Sequence, residues 1–470
     1  MLTMARTPLA LLSQVRAQQP SLSMVRTPLL LLALLSQVRA QQPSLVTCSS
    51  LDTLCVLESA RGEPAWAAHF AAAADGPEQF HINYGPAPDI MTVRWASNSS
   101  SATATARWGT SAGALTHAES GATDRYVYSA AYTSPWLHVV NLTGLPLATR
   151  IFYQVGDAVT GLSSVMSFMS SPGVGPIYPF RTAFIADIGE AASANQTITR
   201  VLEAAALGLV DTVVLNGDIS YASGCEKNGC YTWDAYCRMA SPLAATVPFM
   251  ITLGNHEESD SANFIYAISA TYRFAGMPTG GRKDAGTGLR YFSWEAGPVH
   301  FISIDSFYVL YGPLQPITQW VKADLAAIDY ARTPWVVVSL HAPWYNSNND
   351  HQGNGEPARL GLEQIFIEAG VSAIFSGHVH AYERSLPVNN NKVVPAGPGG
   401  MVHFNIGDAG AGLYTTWLSP QPAWSAFRNA TWGHGRFVVL NGTHAEWTWH
   451  MNDAPTTEAQ DTYILRNARA

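Results

Sequence analysis

The sequence predicts an all-β sandwich followed by an α/β domain whose two mixed sheets are flanked by helices. Three observations carry this. Seven short β-type runs crowd into about 100 residues after Pro77, a density typical of sandwiches. From Arg181 onward, apolar runs alternate with helical stretches. From about Met401 the chain returns to strands, so the second domain ends on sheet.

The chain begins with a leader, residues 1–45. "LLSQVRAQQPSL" occurs twice, at Leu11–Leu22 and Leu34–Leu45, as in a duplicated leader rather than a folded unit. The second copy places Arg26 before an apolar run at Leu29–Leu35 and a small residue at Ala40. That is the layout of a secretory signal, and its apolar run is far too short to cross a bilayer. Met24 is an alternative start to Met1 or Met4, and a short N-terminal anchor is the competing reading. Sequons at Asn98, Asn141, Asn195, Asn429 and Asn441 agree with a secreted glycoprotein. Cys48, Cys55, Cys225, Cys230 and Cys237 lack a zinc-finger pattern, so disulfides are the preferred reading. Cys48–Cys55 is one plausible pair, and the other three leave one thiol over.

Residues 77–172 form the predicted sandwich, of immunoglobulin or fibronectin type III-like kind. Its runs are "FHINYG", "MTVRWAS", "TATARWGT", "RYVYSA", "WLHVVNL", "RIFYQVG" and "VMSFMSS". "SSPGVGP", Ser170–Pro176, reads as the exit linker. Residues 180–470 form the second domain. Helical stretches there include "QTITRVLEAAALG" and "PARLGLEQIFIEAG", and the late strands are "MVHFNIGD", "RFVVLN" and "HAEWTWHM". The whole chain is 47% hydrophobic and 13% charged, as a globular protein with ample core should be. A net charge of −8 without any Lys/Arg run argues against nucleic acid or an anionic membrane as partner.

Polar residues follow the apolar runs of the second domain in a regular way. "AFIADIG" delivers Asp187, and "TVVLNGDISY" delivers Asp218 and Tyr221. "FMITLGNHE" delivers Asn255, His256 and Glu257. "WVVVSLH" delivers His341, and "AIFSGHVH" delivers His378 and His380. Functional groups of α/β sheets gather beyond the carboxyl ends of strands, so these residues are expected along one edge. Carboxylate, phenolate, amide oxygen and imidazole are metal donors of mixed hard and borderline character. Seven of them exceed the needs of one ion and suit two ions sharing a carboxylate, the arrangement that clamps phosphoryl transfer. A single "GD" or "GNH" is an ordinary turn signal, and a single His after a strand is commonly structural. All five blocks in order make that bland reading a poor one.

These blocks resemble the purple acid phosphatases, in particular the larger plant-type members. The matching motifs are D-x-G at Asp187–Gly189, G-D-x-x-Y at Gly217–Tyr221, G-N-H-E at Gly254–Glu257, V-x-x-H at Val338–His341 and G-H-x-H at Gly377–His380. "PEQFHINYG", "HAPWYNSN", "GHVHAYERS", "PQPAWSAFRNATWGHG" and "NGTHAEWTWH" extend the resemblance from roughly Pro77 to Leu465. General metallophosphoesterases open with D-x-H. Here that His is replaced by Gly189, and Tyr221 is available to fill its place.

The resemblance implies an acid phosphatase that hydrolyses phosphate monoesters at a ferric iron–divalent metal centre. The ferric ion would be held by Asp187, Asp218, Tyr221 and His380. The second ion, zinc, manganese or ferrous iron, would be held by Asp218, Asn255, His341 and His378. A metal-held hydroxide would be the nucleophile, with a protonated His as acid for the leaving oxygen. His256 and His351 are the candidate substrate-facing histidines. Members of the family often carry two adjacent His after "HxPWYNS", but this chain has Asp350 before His351. Asp350 could orient His351, repel an anionic substrate, or face solvent. Glu257, Tyr345, Asn346, Glu383 and Arg384 could line the pocket or support the ligands from behind. "GCEKNGCYTWDAYC" reads as a stapled loop near the site mouth. A phosphate ester is the expected partner, with a homodimer as one candidate assembly. Two other functions compete: a phosphodiesterase or nucleotide diphosphatase on the same centre, and a non-catalytic glycan-binding protein using the sandwich.

Overall fold

The computed structural model describes residues 76–99, 104–130, 132–158, 161–222, 231–262, 265–278, 288–311 and 314–470. The leader at 1–45 and Cys48, Cys55, Cys225 and Cys230 lie outside these.

Ten strands come first: β1 (Glu78–Tyr84), β2 (Met91–Ser97), β3 (Ala104–Gly109), β4 (His117–Asp124), β5 (Val127–Ser129), β6 (Tyr132–Thr133), β7 (Trp136–Leu142), β8 (Arg150–Asp157), β9 (Gly161–Leu162) and β10 (Met166–Met169). One layer runs β1-β2-β7-β4 and the other β4-β3-β8-β10. Strand β4 belongs to both, because His117–Gly121 pair with β3 while Ala122–Asp124 pair with β7. Alternate residues point inward, as the two-residue period of a strand requires. Val93, Trp95, Val140, Leu142, Ile151, Tyr153, Val155 and Phe168 are buried between the layers.

One expected sandwich run differs from this, and one strand was not expected. β4, "HAESGATD", is a strand that no apolar alternation announces, since nearly all its side chains are exposed. Backbone ladders to β3 and β7 hold it instead. "RYVYSA" is not a sandwich strand. Its β5 pairs only with β6, and its neighbour Tyr126 packs with Tyr132 and Ile268 in a separate small cluster.

The second domain opens with β11 (Phe180–Ile185), β12 (Thr212–Asn216), β13 (Phe249–Thr252), β14 (Tyr291–Ala296) and β15 (Val299–Ile304). It continues with β16 (Trp335–Leu340), β17 (Ala373–Ser376), β18 (Tyr382–Ser385), the hairpin β19 (Val388–Asn389) and β20 (Lys392–Val393), and β21 (Val402–Ile406). It ends with β22 (Ser425–Asn429), β23 (Gly433–Val439), β24 (His444–Met451) and β25 (Asp461–Arg466). The helices are α1 (Ala192–Ala206), α2 (Tyr231–Ala244), α3 (Asn255–Glu258), α4 (Ile268–Arg273), α5 (Ser306–Tyr311), α6 (Leu314–Leu325) and α7 (Glu356–Ala369).

Two mixed sheets result. The first has the order β13-β12-β11-β23-β24-β25, and the second β14-β15-β16-β17-β21-β18-β22. Strands β11, β12 and β13 run parallel, as do β15, β16, β17 and β21. Aromatic rings close the space between the sheets. Phe184 of β11 stacks on Phe375 of β17 at 3.7 Å, and Trp447 of β24 meets Phe404 of β21 at 4.4 Å. "WVVVSL" of β16 shows both faces at once. Trp335 and Val337 join the inter-sheet core, while Val336, Val338 and Leu340 pack under α6 and α7 with Ile317, Leu362 and Phe366. Such two-sided burial is why the parallel strands read as continuous apolar runs.

This packing corrects the expectation of a single sheet edge. Asp187, Asp218 and Asn255 follow β11, β12 and β13 of the first sheet, whereas His341 and His378 follow β16 and β17 of the second. The functional residues meet across the seam between two sheets because the sheets pack face to face. The cysteine-rich stretch is also corrected in part. Tyr231–Cys237 form the first two turns of α2, not a loop, and Cys237 is a free thiol.

His300 of β15 ties the second sheet to its flanking helix. Its ring lies 2.9 Å from Asp324 of α6 and 3.2 Å from Glu295 of β14. Burial opposes the charged ring, but the two carboxylates outweigh it and raise its pKa. A raised folded value means the contribution is fully present below the unfolded value and is lost as pH rises through the folded one. His300→Gln should therefore cost more stability at about pH 5.5 than at about pH 9, read from urea midpoints.

Candidate metal centre

The five strand ends converge. Asp218, His341 and His378 have ligand atoms all within 4.8 Å of one another, and so do Asp187, Asp218 and His380. Asp218 belongs to both groups. All five residues are buried, and Asp187 and Asp218 are 0% and 1% exposed.

The backbone that delivers them is unusual. Asp187, Asp218, Tyr221, His351 and His378 all have φ between +52° and +69°. A non-glycine residue in this left-handed region costs roughly 1–2 kcal/mol, and such residues gather at functional sites. Two glycines clear the space. A Cβ on Gly217 would stand 2.6 Å from His341 Nδ1, and one on Gly377 2.4 Å from Asp187 Oδ2.

Hydrogen bonds orient each ring. His341 Nδ1 lies 2.7 Å from the Asn216 carbonyl and donates to it, so Nε2 is the ring atom turned toward the carboxylates. Nε2 is buried with no hydrogen-bond partner, 3.1 Å from Asp218 Oδ2. His380 Nδ1 donates to the Gly412 carbonyl at 2.6 Å, which turns Nε2 toward Tyr221 Oη at 3.0 Å and Asp187 Oδ1 at 3.4 Å. His378 Nε2 donates to Asn354 Oδ1 at 2.9 Å, leaving Nδ1 as its free donor atom. Asn255 Oδ1 is buried without a partner. Unpaired oxygen and nitrogen lone pairs facing buried carboxylates fit metal cations and little else.

Tyr221 Oη donates to Asp187 Oδ1 at 3.1 Å. Its ring stands where a side chain on Gly189 would go, since a Cβ there would be 3.3 Å from Tyr221 Cδ2. Burial, with Asp187 and Asp218 facing it, pushes the phenol well above its ordinary pKa. Burial also opposes the Asp218 carboxylate, but His341 and His256 outweigh it and hold the group below the usual range. The same pairing raises His341 to about 10 against its own burial. A cation in the site would displace that shared proton.

The other expected residues divide. His256 lies over Tyr221 at 4.3 Å between ring centres, with Nε2 3.7 Å from Asp218 Oδ2. His351 lies against His378 at 3.9 Å, and its Nε2 is 3.2 Å from Tyr414 Oη. Burial and neighbouring His380 lower the His351 pKa, while Asp187 and Asp350 oppose this. Asp350 is half-buried, and its backbone is tied to Asn346 and Asn348. Glu257 is a buried clamp: it accepts from the amides of Asp218, Ile219 and Gly254 at 2.8–2.9 Å. Burial and Asp218 push it up to about 8. Glu383 accepts from Ser347 and Ser425, Arg384 forks onto Asp461, and Tyr345 donates to Glu363. These four support loops from behind the donor set. Asn346 does the same through Asn348.

Asn216, Asn354 and Tyr414 were not among the sequence candidates. Asn216 acts through its carbonyl, which no side-chain pattern reveals. Asn354 sits in "HQGNG", which reads as a turn, and Tyr414 lies more than 30 residues after the last motif.

Comparison with known proteins follows the same path. Three family models match: "Purple acid Phosphatase, N-terminal domain" at residues 77–170, "Calcineurin-like phosphoesterase" at 180–382 and "Iron/zinc purple acid phosphatase-like protein C" at 400–461. Purple acid phosphatase 18 of Arabidopsis thaliana is 35% identical over 83% of this chain and 85% of its own. A purple acid phosphatase of Glycine max is 32% identical over 71% of this chain and 73% of its own. A purple acid phosphatase structure from yellow lupin seeds superposes with a TM-score of 0.73 at 21% identity, covering 83% of this chain and 74% of that one. With its fold, its paired donor groups and relatives at this level of identity in agreement, the chain belongs to the purple acid phosphatase family and is a dimetal acid phosphatase acting on phosphate esters.

Proposed function

We propose that Asp187, Asp218, Tyr221 and His380 hold a ferric ion, and that Asp218, Asn255, His341 and His378 hold zinc, manganese or ferrous iron. The observation that carries this is the pair of donor groups joined at Asp218. The partnerless Asn255 Oδ1 and His341 Nε2 support the second set. A phenol and two carboxylates around one point favour a hard, highly charged ion for the first. When bound, the ions neutralise phosphoryl charge and acidify water for attack at low pH.

The chain's own residues do the rest. His351 is the proposed proton donor to the leaving oxygen, held by Tyr414 Oη and by its contact with His378. His256 is the proposed phosphate-binding ring beside Asp218. Asp350 is proposed to favour the charged form of His351, opposing with Asp187 the lowering that burial and His380 impose on its pKa. Phosphate monoesters are the proposed substrates, and a diesterase or nucleotide diphosphatase is the alternative. Turnover of nitrophenyl phosphate should exceed that of its bis-ester; the reverse order favours the alternative.

The same reading takes residues 77–172 as the sandwich and 180–470 as the catalytic domain. It also takes the protein as secreted, glycosylated and free of nucleic-acid or membrane partners, with a homodimer as its candidate assembly. Asn98, Asn141 and Asn441 are exposed, as glycan acceptors must be. Among the described residues, no helix is long and apolar enough to cross a membrane.

Metal analysis of the purified enzyme should give about one iron and one second metal per chain. A visible tyrosinate band should accompany them and vanish in Tyr221→Phe. Asp218→Ala should lose metal and reduce turnover to background; retention of both metals with full activity rejects the scheme. His351→Ala should lower kcat about 100-fold, the scale of a general acid, and Asp350→Ala should lower it less. Equal, small effects would remove both residues from the mechanism.

A further inference from the structure

A cavity of about 270 Å³ lies between the sandwich and α2, away from the metal centre. Trp95 and Leu137 line it from the sandwich, Ala240 from α2, and Phe249 and Phe274 from the second domain. Its rim includes Ala122 and Asp124, both exposed. The walls are mostly apolar, and one wall carries a guanidinium that no described residue balances.

That group is Arg94 of β2, only 4% exposed. Its Nη1 donates to the Ala275 carbonyl, and its Cζ lies 5.6 Å from the Phe274 ring centre. Nε and Nη2 have no hydrogen-bond partner among the described residues. These two nitrogens form the side-on fork of a guanidinium. Elsewhere in the chain the same fork takes a carboxylate. Arg384 grips Asp461 with Nε at 2.7 Å and Nη2 at 2.9 Å, and Arg238 grips Glu78 at 2.9 and 2.7 Å. Among the described residues no carboxylate answers Arg94, and burial drives its pKa down to about 9.

The other polar groups of the cavity are committed. Arg273 is paired with Asp234 at 2.7 Å and bonded to Tyr132 and Gln79. His81 bonds the Phe249 carbonyl, and His138 bonds Ser97 and Thr123. Asp124 accepts from its neighbour's amide at the rim. A buried, unpaired charge is costly to keep, and a bidentate carboxylate is its natural complement.

We infer that this cavity binds a small amphipathic monocarboxylate, its carboxylate on the Arg94 fork and its apolar body between sandwich and α2. A single guanidinium matches a single negative charge. A cavity of about 150 Å³ already admits benzene, so this one admits a medium chain or a small ring system.

Octanoate is the probe, titrated calorimetrically into the whole protein with inorganic phosphate present in saturating amount to occupy the metal centre. One-site binding is expected. Arg94→Met should weaken it about tenfold or more, as should replacing octanoate by 1-octanol, the loss a charged hydrogen-bond pair entails. Ala240→Leu, which fills the apolar end, should also weaken it. Turnover of nitrophenyl phosphate should be unchanged in both variants. Absence of octanoate binding to the wild type under phosphate overturns the inference. So does affinity unchanged in Arg94→Met, or, should that variant not fold, unchanged in Ala240→Leu.

Discussion

The burial of Asp187, Asp218 and Glu257 in one place is the constraint on which the rest of the structure depends. All three are 0–1% exposed, in a core where an uncompensated carboxylate costs several kcal/mol. Each is answered differently. Glu257 accepts three backbone amides and thereby ties the turn after β12 to the start of α3. Asp187 accepts from the Tyr221 phenol and the His378 amide. Asp218 accepts from the His256 amide and faces His341. The remaining negative charge is what makes the pocket a receptor for cations rather than a hydrophilic flaw.

Such a cluster needs a rigid frame, and the two sheets supply it. The stacked rings of Phe184 and Phe375 belong to the two strands that lead into Asp187 and His378, one from each sheet. Left-handed backbone at five site residues is tolerated because these strands are packed on both faces and cannot relax. The order of donors around the site is then a matter of which strand ends where. Three of the five strand ends belong to one sheet and two to the other, so the centre exists only while the sheets remain packed. The outer hydrogen bonds follow the same logic: carbonyls of Asn216 and Gly412 select ring tautomers through backbone that the sheets hold still.

Much of the site was legible because metal donors here sit at the ends of buried strands. "TVVLNGD" and "WVVVSLH" couple an apolar run to a polar terminus, and that coupling survives in one dimension. β4 was illegible because a strand held by its ladders alone, with both faces wet, has no hydrophobic period to show. "RYVYSA" misled for the opposite reason: its aromatic residues serve a local cluster with Ile268 rather than the sandwich. Tyr414 escaped because nothing near it in sequence marks it, and only the fold stacks it on His380 at 4.3 Å.

By itself the sequence determined the types and order of the polar residues that follow the buried strands, and the two domain classes. Those are properties of residue identity and local period, which the chain carries without folding. Tertiary structure alone decided that these strand ends come from two sheets. It also decided that Glu257 faces backbone amides and that Arg94 meets no carboxylate among the described residues. These depend on distances between segments far apart in the chain, set by how aromatic and aliphatic faces pack, and no local pattern encodes them.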